Sequence, residues 1–177
     1  MNKGEVNRLM KEVKTQNETA FEDLFNACKK GVFGFLYTYT KNYHDTEDLL
    51  QETFIKVKTG AQSYKDGTNA LAWILEIAKN TAIDFIRRKN KYDTTDIESV
   101  NVSVKSEDTD TKMTIYDVIN KYLADVDRQI VLLKLVYGYK SREIASILNI
   151  PTGTVLWKYN RALKQLKAAL IEVGYEE

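Results

Sequence analysis

The feature that most constrains this fold is the stretch YKSREIASILNIPTGTVLWKYNRAL at residues 139–163, which contains the chain's only proline, Pro151. Apolar residues recur at helical spacing before this proline. Ser141 can cap the helix that they predict, and Glu143 would lie in its first turn, where a negative charge suits the helix dipole. We expect this helix to end at Asn149, because Pro151 cannot continue it. A second apolar-periodic segment follows at once, so the stretch predicts a helix-turn-helix.

The second helix of this motif is expected to have one apolar face and one polar face. Thr152 or Thr154 can cap it. Its apolar residues fall at i, i+4, i+7 and i+11, a spacing that predicts a buried face consisting of Val155, Tyr159, Ala162 and Leu166. Thr154, Lys158 and Arg161 fall on another side of the helix, and we expect them to point outward.

Basic residues outnumber acidic ones by six to one between residues 140 and 167. The bases are Lys140, Arg142, Lys158, Arg161, Lys164 and Lys167, and the acid is Glu143. Such charge suits phosphate neutralisation, and a helix of this kind presents its N-terminal residues to base edges in the major groove. The motif therefore predicts DNA binding. The alternative is an ordinary helical hairpin with a solvated basic face.

Composition limits the class of protein. The 177 residues are 44% hydrophobic and 29% charged, with a formal net charge of +1, as in an ordinary globular protein, and one proline with eight glycines favours long helices. Cys28 is the only cysteine, so no disulfide can form within the chain, and we expect a core position for it and a reducing compartment. The N-terminus does not resemble a secretory signal, and no apolar run approaches the length of a membrane span. We therefore expect a cytoplasmic protein without membrane insertion.

The apolar pattern divides the chain into two helical domains. In the first half it predicts three helices, at residues 19–39, 45–58 and 70–89, with a turn at 63–69. Residues 92–112 hold six acids against two bases and few apolar residues, which favours a flexible acidic linker, although three alternating valines (100, 102 and 104) could form a short extended segment. We expect an all-α fold with a first domain at 1–91, a linker at 92–112 and a second domain at 113–177.

An acidic cluster, HDTEDLLQET, occupies residues 44–53 and contains four acids and no base. One interpretation is a metal site, because His44 and Asp48 are separated by one helical turn and Glu47 and Glu52 are near. A carboxylate-bundle site would use histidines from paired helices, however, and this chain has a single histidine. Two other interpretations of this cluster are an acidic surface that docks a basic partner and a solvated helix face.

The third predicted helix carries a polar line that continues into a basic end. Trp73, Asn80, Asp84 and Arg87 fall on one face, and further bases follow at Arg88, Lys89 and Lys91. Aromatic rings and amides beside a basic track suit single-stranded DNA, whose exposed bases can stack and whose edges can be hydrogen-bonded. The alternative is that Trp73 belongs to the core and the basic end is merely exposed.

Together these motifs resemble the extracytoplasmic-function (ECF) group of the sigma-70 family of bacterial transcription initiation factors, from about Phe21 to Leu170. AFEDLFNACKKGVFGFLYTYT resembles the start of the family's first helical domain, and DTEDLLQETFIKV resembles its core-polymerase-binding helix. ALAWILEIAKNTAIDFIRRKNK resembles its promoter-melting helix. LADVDRQIVLLKLVYGYKSREIASILNIPTGTV resembles its C-terminal domain.

The resemblance implies a promoter-specific factor for core RNA polymerase that is not itself an enzyme and uses no cofactor, metal or small-molecule substrate. Its partners would be the polymerase (β′ clamp coiled coil and β flap), promoter DNA and an anti-sigma factor. The polymerase-binding residues would be Asp45, Asp48, Leu49, Gln51, Glu52 and Phe54. The minus-ten element would be read by Trp73, Asn80, Asp84, Arg87, Arg88 and Lys89, with a flipped base held by the loop residues Ser63, Tyr64, Lys65 and Asp66. The minus-thirty-five element would be read by Lys140, Ser141, Arg142, Thr152, Thr154, Val155, Trp157, Lys158 and Arg161.

The chain departs from the family pattern in the helix expected to read the minus-thirty-five element. Leu156 and Trp157 stand where the family usually has small or basic residues, and Lys158 replaces a common arginine, with the loss of bidentate geometry. Trp157 could contact a thymine methyl group or the DNA backbone, or pack beside the core. Two other functions remain open from the residues alone: a free-standing helix-turn-helix repressor and a carboxylate-metal helical enzyme.

Overall fold

A computed structural model of the chain describes residues 3–93 and 115–172. The regular elements in these residues are all helical, which confirms the predicted fold class of two helical domains. From residue 94 onward the predicted linker lies outside the described residues, together with its three alternating valines.

The first domain is built from four helices that enclose an apolar core. They are α1 (Lys3–Lys14), α2 (Glu18–Thr40), α3 (Tyr43–Thr59) and α4 (Ala70–Asp93), with a turn of 3-10 helix at Ala61–Ser63. Helices α2, α3 and α4 confirm the three predicted from apolar spacing. Helix α1 was not predicted, although its apolar residues recur at helical spacing and are buried: Val6, Leu9, Met10 and Val13.

Local hydrogen bonds set the ends of these helices. The Asn17 side chain accepts from Ala20 N at 3.1 Å and caps α2, and the Asn42 side chain accepts from Asp45 N at 2.9 Å and caps α3. Gly60 follows α3 as predicted, and its N–H donates to Lys56 O at 2.9 Å. Cys28 is fully buried, which confirms its predicted place in the core.

The second domain contains the predicted helix-turn-helix. Its helices are α5 (Ile115–Tyr122), α6 (Asp125–Val131), which continues into a π-helical turn at Leu132–Val136, α7 (Ser141–Leu148) and α8 (Thr152–Glu172). Asn149 ends α7 in the left-handed conformation (φ 56°), as expected before Pro151. Ser141 was predicted as the cap of α7, which is wrong, because it is the first helical residue. The flanking Lys140 N–H donates to Glu143 Oε2 at 2.7 Å and so satisfies that end of the helix.

The two domains pack against each other and share one buried apolar cluster, which the sequence did not predict. The ring of Tyr137 fits against Gly31 of α2, where a Cβ would lie 2.7 Å from it. Lys79 of α4 donates to the backbone oxygen of Ile147 in α7 at 2.8 Å. Lys3 of α1 pairs with Glu143 at 3.2 Å. Burial alone would raise the pKa of Glu143, but hydrogen bonds from Lys140 and Lys3 outweigh it and hold that pKa below its ordinary value.

Candidate nucleic-acid and docking surfaces

The outer face of α3 is acidic. The Asp48 side chain is 65% exposed, and Gln51 is exposed on the same face, with Glu52 and Asp45 partly covered beside them. Ile55 lies one further turn along and is 63% exposed, an apolar residue that the sequence reasoning missed although its position three residues after Glu52 places it on this face. We call this surface, formed by Asp45, Asp48, Gln51, Glu52 and Ile55, the acidic face. Its acidic and amide side chains surround one exposed aliphatic side chain.

Two residues predicted for polymerase binding are not on the acidic face. Leu49 is 2% exposed and Phe54 is 3% exposed, so both belong to the core of the first domain. The Phe54 ring packs edge-on against Phe25, with 4.9 Å between ring centroids. Their role is therefore to hold α3 in place, because α3 turns its apolar side to α2.

The basic end of α4 pairs with the acidic face. Lys89 contacts Asp45 at 3.2 Å, and Arg88 lies 3.7 Å from Glu52, which also pairs with Lys56 at 2.7 Å. These pairs are at least partly exposed, so each contributes little to stability and is screened by salt. They make Arg88 and Lys89 neighbours of the acidic face, a closeness that helix periodicity alone could not reveal.

The metal interpretation of the acidic cluster gains no support. His44 Nε2 lies 3.9 Å from Asp48 Oδ2, and the His44 side chain is 84% exposed. Within residues 3–93 and 115–172, no group of three or more His, Cys, Asp or Glu side chains comes together in a way that could hold a metal ion.

The outer face of α4 presents the predicted polar line. Asn80 is exposed, the Asp84 side chain is 60% exposed and the Arg87 side chain is 77% exposed, with 3.9 Å between the last two. Trp73 is only partly exposed and packs against Tyr64, with 5.6 Å between ring centroids. The line therefore consists of an amide, a carboxylate and a guanidinium, with the indole at its inner edge.

Hydrogen bonds with α1 hold the loop between the 3-10 turn and α4. Lys14 Nζ donates to Tyr64 O at 2.9 Å and to Asp66 Oδ1 at 3.0 Å, and Gln62 donates to Lys14 O at 2.6 Å. Tyr64 was predicted to contact DNA, but its ring is 2% exposed and its hydroxyl donates to Thr68 O, so it supports the loop instead. Ser63, Lys65 and Asp66 stay exposed.

The same helix also fixes the start of α4. Ala70 N donates to Asn7 Oδ1 at 2.9 Å, and Ala72 N donates to Asn69 Oδ1 at 3.1 Å, so two of the N–H groups that a helix start leaves unpaired are satisfied. Asn7 and Lys14 therefore support the loop and the start of α4, a structural role that the sequence reasoning missed. The signal that could have found them is the apolar spacing of α1, which places both residues on a packed helix.

The helix-turn-helix exposes two large apolar residues on α8. Trp157 is 60% exposed and Leu156 is 48% exposed, while Lys140 and Arg142 are exposed around α7. Ser141, Thr152 and Thr154 are partly exposed. Val155 was also predicted to contact DNA, but it is fully buried, as its place on the apolar face of α8 requires.

Lys158 and Arg161 do not point freely outward as predicted. Both turn to Asp127 of α6, a fully buried carboxylate: Lys158 Nζ donates to Oδ1 at 3.1 Å, and the Arg161 guanidinium donates to Oδ2, with Nε at 3.1 Å. The Arg161 guanidinium also lies over the Trp157 ring, 4.7 Å from its centroid. No local pattern signals these pairs, because more than thirty residues separate their members.

The structure combines two helical domains, with an acidic face on α3 in the first and a helix-turn-helix flanked by exposed basic residues in the second. Two family descriptions match the chain: Sigma-70 region 2 at residues 24–92 and Sigma-70, region 4 at residues 118–166. The RNA polymerase sigma factor CarQ of Myxococcus xanthus is 30% identical, over 90% of this chain and 94% of CarQ. The ECF RNA polymerase sigma factor SigW of Bacillus subtilis (strain 168) is 28% identical, over 93% of this chain and 96% of SigW.

The chain belongs to the ECF group of the sigma-70 family and is a sigma factor that directs transcription initiation at promoters. Solved structures share its fold. The sigma factor RpoE in complex with the anti-sigma factor NepR from Bartonella quintana superposes with a TM-score of 0.68 at 22% identity, over 88% of this chain and 98% of RpoE. Among the described residues, no helix is long and apolar enough to cross a membrane.

Proposed function

We propose that the three exposed surfaces divide the work of promoter recognition. The acidic face of α3 docks on the β′ clamp coiled coil of core RNA polymerase. The outer face of α4 and the loop at 63–69 recognise the minus-ten element and hold it open, and α7 with α8 reads the minus-thirty-five element while the second domain docks on the β flap. The observation that carries the proposal is the order of these surfaces along a chain of this family.

The docking step uses Asp48, Gln51 and Glu52 for charge complementarity and Ile55 for apolar contact. This role is supported by the position of these side chains on one exposed face of α3. Leu49 and Phe54 are buried and pack the same helix against the core. Since Asp45 and Glu52 pair with Lys89 and Arg88, docking of a basic partner on the acidic face would compete for these acids. Such competition would release both bases toward DNA, so polymerase binding and promoter melting are expected to be coupled.

The melting step uses the polar line on α4. Asn80 can hydrogen-bond a base edge, and Arg87 can pair with a phosphate or stack on an exposed base. The exposed loop residues Ser63, Lys65 and Asp66 would contact an extruded base, and the loop is supported by hydrogen bonds from Lys14 to Tyr64 O and Asp66. A loop that is already ordered loses little entropy on binding, which helps to offset the few kcal/mol that extrusion of a base costs.

The minus-thirty-five element is proposed to meet the N-terminal half of α8, with Lys140, Ser141 and Arg142 at the start of α7 and Thr152 and Thr154 as backbone contacts. Lys158 and Arg161 lie beside this surface. Because both are hydrogen-bonded to the carboxylate of Asp127, we expect them to act less through phosphates than through Trp157.

An anti-sigma factor is the proposed regulatory partner. Support comes from RpoE, which has the same fold and was solved with the anti-sigma factor NepR. An inhibitor that covers the acidic face would keep the chain from polymerase. As an initiation factor, the chain would itself catalyse no reaction and would act in the compartment that holds the polymerase.

The decisive experiment combines co-purification with run-off transcription. The chain and core polymerase are mixed, the complex is isolated, and a promoter library is transcribed. Asp48→Lys should abolish the complex and the transcripts while helical content stays unchanged, because it places a like charge against a basic partner. Glu22→Lys, which changes an exposed acid of α2 outside the acidic face, is the matched control and should behave as wild type.

A complex that survives Asp48→Lys would disprove the docking assignment. A wild-type chain that binds duplex DNA specifically, but neither associates with polymerase nor supports transcripts, would instead identify a free-standing repressor.

A further inference from the structure

We propose that Trp157 determines which minus-thirty-five sequences the chain accepts, by packing its indole against the C5-methyl groups of thymine, and that the buried Asp127 positions it. This rests on the proposed function of α8 as a major-groove helix. Two points go beyond that function. The feature recognised is the C5-methyl group of thymine, and Asp127, which lies away from the DNA, holds Trp157 in position to recognise it.

Asp127 connects α6 to α8 through an ionic cluster of one buried carboxylate and two partly exposed bases. Its side chain is fully buried, Lys158 donates to one oxygen at 3.1 Å, and the Arg161 guanidinium donates to the other. A carboxylate removed from water is stable only with such partners. Two bases therefore share one acid, so one of their two positive charges is offset before DNA arrives.

The same cluster fixes the orientation of the Trp157 ring. The Arg161 guanidinium carbon lies 4.7 Å from the ring centroid, and Lys158 Nζ lies 6.0 Å from it. A cation at this range is attracted to an indole face. One face of the ring is thus held by a guanidinium that Asp127 keeps in place, while 60% of the residue remains exposed. Holding the side chain in advance lowers the entropy that it loses on binding.

Position and chemistry together define what this ring can read. Trp157 lies in the second turn of α8, in the half of the helix that meets base edges in a helix-turn-helix complex. An indole offers one N–H donor and is otherwise apolar. The apolar feature of the major groove is the thymine C5-methyl group, and the exposed Leu156 extends the apolar surface next to the ring. Trp157 is 60% exposed, so most of its surface is available for contact with DNA.

The test removes methyl groups from the DNA. The complex of chain and core polymerase first selects its preferred element from duplexes randomised over the minus-thirty-five region. Each thymine of that element is then replaced by deoxyuridine, which pairs in the same way but lacks the C5-methyl group. At one or more positions the wild-type complex should bind about fourfold more weakly, the effect of burying one methyl group. Trp157→Ala should bind both duplexes equally, whereas the control Leu163→Ala, an exposed apolar residue of the same helix, should discriminate as wild type does.

The positioning role of Asp127 has its own readout in the salt dependence of binding. Asp127→Asn frees two bases, so methyl discrimination should fall while the slope of log binding constant against log salt steepens by about 0.9 for each base that reaches a phosphate. A merely structural role would weaken binding without steepening the slope. Should this variant fail to fold, Arg161→Gln replaces it: it removes the cation over the ring but leaves Lys158 on Asp127, so discrimination should fall with the slope unchanged.

Several results would overturn the proposal: a selected element without thymine, a wild-type complex indifferent to every deoxyuridine, or Trp157→Ala that still discriminates. Loss of polymerase association in Trp157→Ala would show that the ring contacts a protein and would also overturn it. A wild-type complex that selects no element at all would instead disprove the proposed function of α8.

Discussion

Replacing Gly31 by alanine tests whether the two domains pack together in solution. Gly31 lies in α2, and a Cβ there would be 2.7 Å from Cε1 and 2.8 Å from the hydroxyl oxygen of Tyr137 in the second domain. Carbon atoms in contact normally lie about 3.5–4.0 Å apart. Tyr137 is only 8% exposed, so its ring would have to move within a packed interface or the domains would have to separate.

Two opposing effects set the magnitude for Gly31→Ala. Overpacking a buried site costs about 1–3 kcal/mol, whereas alanine is favoured over glycine inside a helix by about 1 kcal/mol. The net change in the free energy of unfolding should therefore be a loss of up to about 2 kcal/mol. With Tyr137→Ala in place the obstruction is gone, and Gly31→Ala should stabilise by about 1 kcal/mol. The coupling between the two sites is then about 1–3 kcal/mol, or about 2–12 °C in melting temperature.

Urea unfolding of the wild type, both single variants and the double variant, followed by circular dichroism, measures this coupling. Gly153→Ala is the matched control, because a Cβ at Gly153 of α8 meets nothing within 4 Å and should have the same effect in both backgrounds. If Gly31→Ala stabilises the chain equally with and without the Tyr137 ring, the domains do not touch at this point and the shared core is refuted.

Two further predictions concern the first domain. Lys14→Met removes the hydrogen bonds to Tyr64 O and Asp66, so strand opening by the polymerase complex should decrease while duplex binding is unchanged. Permanganate reactivity of the minus-ten thymines measures strand opening. Equal losses of opening and of duplex binding would refute the loop-supporting role. Burial raises the pKa of the Cys28 thiol from 9.0 to about 12, so the folded chain should not react with Ellman's reagent at pH 8. Because the unfolded chain loses this proton at a lower pH than the folded chain, the free energy of unfolding should decrease as pH rises from 9 toward 12. Rapid labelling of the folded chain at pH 8 would contradict the burial of this thiol.

Much of the helical framework could be predicted from the sequence because its signals are local. Apolar spacing located α2, α3 and α4 to within a few residues, and the left-handed Asn149 before Pro151 ended α7 where expected. The same kind of signal is present in α1, whose buried apolar residues also recur at helical spacing.

The candidate sites were harder to predict because they depend on which side of each helix is covered. Leu49, Phe54, Tyr64 and Val155 lie within the right segments but face the core, where they support the surfaces rather than form them. Periodicity places residues on a common face, yet it cannot show that Asp127, on another helix, pairs with two of the predicted DNA contacts, Lys158 and Arg161. Long-range pairs of this kind emerge only from the tertiary structure.

The contact between the domains places a condition on the proposed function. Elements named for positions ten and thirty-five lie about 25 base pairs apart, which is about 85 Å of duplex at 3.4 Å per pair. Lys79, next to Asn80 on α4, donates to Ile147 O in α7 at 2.8 Å, so the helices proposed to read the two elements cannot reach both of them while this bond holds. The closed arrangement therefore has to open when the chain docks on polymerase, and docking has to supply the free energy. If the interface between the domains is modest, as the coupling expected between Gly31 and Tyr137 indicates, docking can supply the free energy that separates the domains. An interface much stronger than the docking contacts would leave the chain unable to read its promoter.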